Sequence, residues 1–207
     1  SRLTWRLAPP RTGPFQPLWI NPADGTAWMI VRDSHLIRTR DDGVSWKDLT
    51  TATALTAPLA ISGATKDQAF VADGSRVIQV DANGDTITDR GSLPNSTSVV
   101  LLGELTAQGA LIAEGNDGAA YANVQGTAWT KTARTGAVGA YPGKYAWANA
   151  DVSTDGGQTW SPTSGLPTND PPLAFAGDGT KAVTYTYSGT VYTSADGRAW
   201  SPAGRIT

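Results

Sequence analysis

Three short stretches repeat an order of side chains that could cap a turn, hold a cation or supply an acid–base pair. In Thr39-Arg40-Asp41-Asp42-Gly43-Val44-Ser45-Trp46 and in Ser153-Thr154-Asp155-Gly156-Gly157-Gln158-Thr159-Trp160, a hydroxyl stands first, Asp third, Gly fifth, a hydroxyl seventh and Trp eighth. Ser194-Ala195-Asp196-Gly197-Arg198-Ala199-Trp200 keeps hydroxyl, Asp, Gly and Trp in a form one residue shorter. A carboxylate flanked by hydroxyls can accept the N–H groups of its own turn, and glycine permits the positive φ such turns need. On this reading Asp41, Asp155 and Asp196 form turns rather than acting as catalytic carboxylates or calcium ligands. The tryptophans fill gaps between packed elements.

The remaining chemistry is sparse. His35 stands beside Asp33 and Ser34, but neighbours in one tight turn cannot fan out as nucleophile, base and orienter, and no Gly-x-Ser-x-Gly elbow occurs. No cysteine and one histidine exclude thiolate and multi-histidine metal sites, so no metal or other cofactor is expected. Glutamate occurs only as Glu104 and Glu114. Lys+Arg 16 against Asp+Glu 18 gives a net charge of -2 without a basic run, which argues against nucleic acid as a partner. No apolar stretch approaches the roughly 20 residues of a membrane-crossing helix.

The elements that position these groups follow from the spacing of the eighth-position residue. Trp5 to Trp46 is 41 residues, Trp46 to Ile87 41, Ile87 to Trp129 42, Trp129 to Trp160 31 and Trp160 to Trp200 40. Two eroded octets complete the series: residues 80–87 keep Gly84 and Thr86 with Ile87 in place of Trp, and residues 122–129 keep Gly126 and Trp129. Every period holds four strand-like runs separated by turn residues, as in 17–20, 27–32, 35–38 and 45–49 of the first, 137–140, 144–147, 151–153 and 159–161 of the fourth, and 173–176, 182–187, 190–194 and 199–201 of the fifth. Such a sheet is too small to bury its own faces, and its repetition predicts an all-β protein, a β-propeller of four-stranded antiparallel blades. A sandwich gives no reason for the recurrence. The expected domain is the whole chain, 1–207, with units at about 14–50, 57–90, 97–133, 136–163 and 172–203. Residues 1–8 read as a closing strand, giving five blades, or as part of a sixth.

The octets resemble the Asp-box (BNR) repeat of sialidase-type propellers, in which the box is the hairpin between the third and fourth strands of a blade. The resemblance implies a secreted or envelope-associated protein. The Arg-Ile-Pro signature of sialidases is absent, since Arg205-Ile206-Thr207 lies at the other end of the chain. With boxes on one face, the turns between second and third strands open on the other. There Arg32, Asp73, Arg76, Glu114 and Tyr187 are expected to surround a polar central depression. The predicted function is a monomeric, non-catalytic binding scaffold for a glycan or protein. The alternative is a divergent glycoside hydrolase using two carboxylates at that mouth.

Overall fold

The computed structural model describes residues 18–20, 25–31, 35–49, 55–65, 68–81, 86–105, 109–141, 144–177 and 180–206. Among these, the chain forms five four-stranded antiparallel sheets and no helix. Blade 1 comprises β1 (Leu18–Ile20), β2 (Ala27–Val31), β3 (His35–Thr39) and β4 (Lys47–Asp48). Blade 2 comprises β5 (Pro58–Thr65), β6 (Gln68–Asp73), β7 (Arg76–Asp81) and β8 (Ile87–Ser92). Blade 3 has β9 (Val99–Glu104), β10 (Leu111–Gly115), β11 (Ala119–Asn123) and β12 (Thr130–Thr135). Blade 4 has β13 (Val138–Tyr141), β14 (Tyr145–Ala148), β15 (Asp151–Ser153) and β16 (Ser161–Pro162). Blade 5 has β17 (Pro172–Gly177), β18 (Ala182–Thr186), β19 (Thr190–Ser194) and β20 (Ser201–Arg205). Each sheet is a meander in chain order.

The middle strands of blade 3 are apolar on both sides because both faces are covered. In blade 3, Leu111, Ala113 and Tyr121 pack with Phe70, Ala72 and Val77 of blade 2, while Ile112 and Ala120 pack with Val138 and Ala146 of blade 4. In blade 1, Trp28, Ile30 and Leu36 pack with Val71, Ile78 and Val80 of blade 2. Full burial of such a side chain contributes about 1.5–3 kcal/mol, a gain that an isolated sheet could take on neither face.

The first strands run side by side round the axis, β1 on β5, β5 on β9, β9 on β13 and β13 on β17. Their close approach explains two glycines. A Cβ at Gly103 would come within 3.0 Å of Ala140, and one at Gly139 within 2.5 Å of Phe175. No packing of comparable extent joins β17 to β1 among the described residues. The closing strand expected at 1–8 lies outside those residues, as does Arg32.

Candidate functional site

The hydroxyl–Asp–Gly–Trp octets connect the third and fourth strands of blades 1, 4 and 5. In blade 1, Thr39 Oγ1 donates to Asp41 Oδ1 at 2.7 Å and accepts from Gly43 N at 3.0 Å. Ser45 donates to both oxygens of the carboxylate, its amide to Oδ1 at 2.8 Å and its hydroxyl to Oδ2 at 2.6 Å. Blade 4 repeats this: Ser153 Oγ bonds Asp155 at 2.8 Å and accepts from Gly157 N at 2.8 Å, while Thr159 N reaches Asp155 at 2.8 Å. Gly43 and Gly157 sit at φ +85° and +86°, the left-handed region that favours glycine. The Ser45 hydroxyl and amide, then Thr39, hold Asp41 down to about 2. Thr159 and then Ser153 do the same for Asp155, also to about 2. In the shortened octet of blade 5, Ala199 has no hydroxyl to give. Asp196 is held below the ordinary carboxylate range mainly by the amides of Ala199 and Arg198, with Ser194 assisting.

The octets also lean on the blade before them. Trp200 of blade 5 meets Trp147 of blade 4 edge-on, with centroids 6.0 Å apart, and Trp147 Nε1 donates to Gly197 O at 2.8 Å. Trp160 of blade 4 packs against the Leu105, Ile112 and Ala120 cluster of blade 3. Trp129 of blade 3 packs with Phe70 and Val77 of blade 2 and donates to Arg90 O at 2.8 Å. Trp200 and Trp129 are accordingly 4% and 8% exposed. Trp46 departs from the expectation that every such tryptophan fills an inter-blade gap: it is 39% exposed, and no blade precedes blade 1 among the described residues.

The turn of blade 3 has Ala122, Val124 and Ala128 where the full octet has its two hydroxyls and Asp, and is held by a group that sequence reasoning missed. Arg90, in β8 of blade 2, donates through Nη2 to Gly109 O at 2.6 Å and to Asn123 Oδ1 at 2.8 Å. Its Nε reaches Gly126 O at 3.2 Å, its Nη1 reaches Gln79 Oε1 at 3.1 Å, and the guanidinium lies over the Phe70 ring. Asn123 Nδ2 then donates to Ala128 O at 2.9 Å across the turn. Nearby, burial pushes the Glu104 carboxyl up to about 7, against the opposing pull of Arg90. Glu104 Oε1 is buried and accepts no hydrogen bond from the described residues. The only sequence signal was negative: an octet stripped of its capping groups needs a replacement from elsewhere.

Four of the five residues expected at a central mouth can be located, all at the blade ends opposite the octets. Asp73 accepts from Thr56 N at 2.9 Å and also from Ala57 N, which ties the β6–β7 turn to the strand entering its blade. Asn116 forms the equivalent clamp in blade 3, with Ser96 Oγ at 2.6 Å and Thr97 Oγ1 at 2.8 Å. In blade 5 the donor and acceptor exchange places, Ser188 N donating to Asp170 at 2.9 Å. Arg76 faces outward along its blade, pairing with Asp89 of β8 at 3.4 Å. Glu114 is half-buried on β10, where burial raises its carboxyl above the usual range. Tyr187 stands 83% exposed at the β18–β19 turn. His35 pairs with Asp48 across β3 and β4 at 2.9 Å.

Three concavities formed by the described residues lie at the octet side. The roomiest of those given by the described residues, about 640 Å³, separates the outer part of blade 3 from the octet of blade 4. Val124, Ala128, Ala133 and Trp160 supply its apolar lining, and Gln125 and Gln158 supply amides. Beside it runs β12, which pairs only with β11 among the described strands and so leaves its outer edge free.

No known protein family matches the sequence, and no curated protein matches it either. Solved structures do resemble the fold. YCF48 from Cyanidioschyzon merolae aligns with TM-score 0.59 and 16% identity, over 86% of this chain and 69% of that one. A structure of YCF48 bound to D1 peptide aligns at 0.60 and 17%, over 86% and 63%. Virginiamycin B lyase from Staphylococcus aureus, in selenomethionine form, aligns at 0.62 and 16%, over 92% and 69%. The chain is a β-propeller. At these identities the likeness carries the fold alone, and the chain spans about two thirds of each neighbour's length.

Proposed function

We propose that the chain is a non-catalytic Asp-box propeller, sialidase-like in its turns and lacking the sialidase signature, which presents the cleft between blades 3 and 4 to an extended segment of a protein partner. The observation that carries the reading is that cleft of about 640 Å³ beside the open edge of β12. An added strand would find unpaired N–H and C=O groups there, with apolar side chains to receive its own. The binding of a peptide by YCF48, a propeller of similar fold, supports the partner class. The engagement of Asp41, Asp73, Asp155 and Asp196 in their own turns and connectors supports a scaffold over an enzyme. Secretion or attachment to the envelope belongs to the same proposal, as does a glycan at the opposite face, near Glu114 and Tyr187.

Selection from a displayed library of random peptides tests it. Peptides recovered on the chain are expected to lose about tenfold or more in affinity against Val124→Asp and Ala133→Asp, and to bind Glu114→Gln and Tyr187→Ala undiminished. Loss confined to the second pair moves the site to the opposite face, and recovery of no peptide removes the reading. One observation favours a second reading: burial raises the Glu114 carboxyl, the direction in which a glycosidase acid is shifted. Turnover of aryl-glycosides abolished by Glu114→Gln would establish it.

A further inference from the structure

One notch recurs on the octet side of two successive blade interfaces, filled in one and open in the other. Between blades 4 and 5, Tyr141, Tyr145 and Trp147 of blade 4 meet Ala182 and Gly197 of blade 5 and leave only about 10 Å³. Between blades 3 and 4, a space of about 190 Å³ stays open among Leu105 of blade 3 and Lys144, Ala146, Ser153 and Thr154 of blade 4. Strand register accounts for the difference. Trp147 pairs with Gly139 and Tyr145 with Tyr141 across β13 and β14, and Ile112 pairs with Gly103 across β9 and β10. Two residues further toward the octets, Leu105 and Ala110 stand where blade 4 has Tyr141 and Tyr145, joined by the bond from Leu105 N to Ala110 O. Blade 3 thus offers its neighbour Leu105, Ala110 and Ile112 in place of two tyrosines and a tryptophan. The following octet sits closer where the aromatics are. A Cβ at Gly197 would come within 2.9 Å of Tyr145 and 3.0 Å of Trp147, whereas one at Gly157 would stand 3.6 Å from Leu105 and 3.8 Å from Ala122.

The filled notch shows which side chains suit such a place. The Tyr145 and Trp147 ring centroids are 5.8 Å apart, and Trp147 Nε1 donates to Gly197 O at 2.8 Å. Aromatic rings bring a large apolar area into a slot at a small cost in rotamer freedom. The open notch is also continuous with the cleft beside β12, since Gly156 borders both. Gly156 lies at φ +74°, and a Cβ there would meet nothing within 4 Å, so the ridge between the two spaces is bare backbone. On the reading of that cleft as a peptide site, we propose that the partner segment carries an aromatic residue beyond the stretch lying along β12. Its ring enters the notch between blades 3 and 4 against Leu105 and Ala146, in the place that Tyr145 takes one interface further on.

Peptides recovered on the chain carry the test. Alanine scanning of one is expected to find an aromatic residue whose loss weakens binding about tenfold or more. With Thr154, which is exposed at the notch, replaced by p-benzoylphenylalanine, irradiation is expected to place the adduct on that residue or its immediate neighbour. Ala110→Tyr rebuilds the ring of the filled notch within the chain: Tm is expected to hold or rise, and the peptide and its alanine form should then bind alike. Peptides that lose affinity to Val124→Asp yet need no aromatic residue, or that give no adduct at position 154, overturn the inference and leave the cleft as a peptide site. A fall in Tm of more than a few degrees for Ala110→Tyr would mean that the notch has no room for a ring, and overturns it as well. Recovery of no peptide overturns both readings together.

Discussion

The turn that closes blade 4 and the turn that closes blade 3 occupy the same place in their sheets and are held in different ways. Blade 4 keeps everything local: Ser153, Asp155 and Thr159 satisfy one another and the turn amides within seven residues of chain. Blade 3 has lost those groups and takes its hydrogen bonds from Arg90, which comes from the neighbouring blade and lies 33 positions before Asn123. The local device closes a hairpin and leaves the blade-to-blade contact to Trp160. The borrowed one closes the hairpin and locks two blades with the same guanidinium. A repeat can therefore lose its turn motif without losing the turn, provided the replacement is anchored across the interface.

The largest effect follows from removing that anchor. Arg90→Ala takes the guanidinium donor from Asn123 Oδ1 and the Gly109 carbonyl in a buried place, and leaves the Gly126 carbonyl with Asn123 Nδ2. The expected loss is about 3–5 kcal/mol, read by urea denaturation at neutral pH. Arg90→Lys should recover little, since one ammonium cannot span the positions the planar fork reaches. A cost no larger than that of Asp155→Asn would erase the distinction between borrowed and local closure.

Glu104 sharpens the same interface. Its folded carboxyl titrates at about 7, against about 4.3 for an unfolded glutamate. Between those values the folded chain binds the extra proton, so stability is fully expressed below about pH 4 and declines as pH rises through 7. Glu104→Gln should flatten this decline and raise stability at pH 8 relative to the parent by about 2 kcal/mol. Thermal melts from pH 5 to 8 check the slope. An unchanged slope would mean that Arg90 holds the carboxylate ionised throughout.

How far this contrast could be read in advance depends on the range of the interactions. The octets announce themselves because their bonds span two to four residues, and the boundaries expected for β15, 151–153, and β19, 190–194, coincide with the observed strands. The strand expected at 199–201 instead runs as β20, Ser201–Arg205. Pro202 and Gly204 suppress strand propensity there, and a register shift beside Val191 accommodates them. The site was less legible. Asp73 looks like a free acid until its bonds to the backbone 17 and 16 residues earlier are seen. Trp46 and Trp160 look equivalent because sequence records the motif, whereas their burial depends on which blade stands before them.

The smallest effect is also the one that separates the two turns most cleanly by pH. Asp155→Asn keeps an acceptor for Thr159 N but loses the charge that its hydroxyl and amide donors favour. Because the folded pKa of Asp155 lies at about 2, below the unfolded value near 3.9, its contribution is present above about pH 4 and disappears as pH falls through 2. Melts at pH 7 should place the variant a few degrees below the parent, and the difference should close between about pH 4 and pH 2. The deficit of Arg90→Ala should persist across that window, since no group bonded to its guanidinium titrates there. A deficit for Asp155→Asn that stayed constant down to pH 2 would mean that the carboxylate holds its turn through shape and neutral hydrogen bonds, and the two turns would then differ only in where their donors come from.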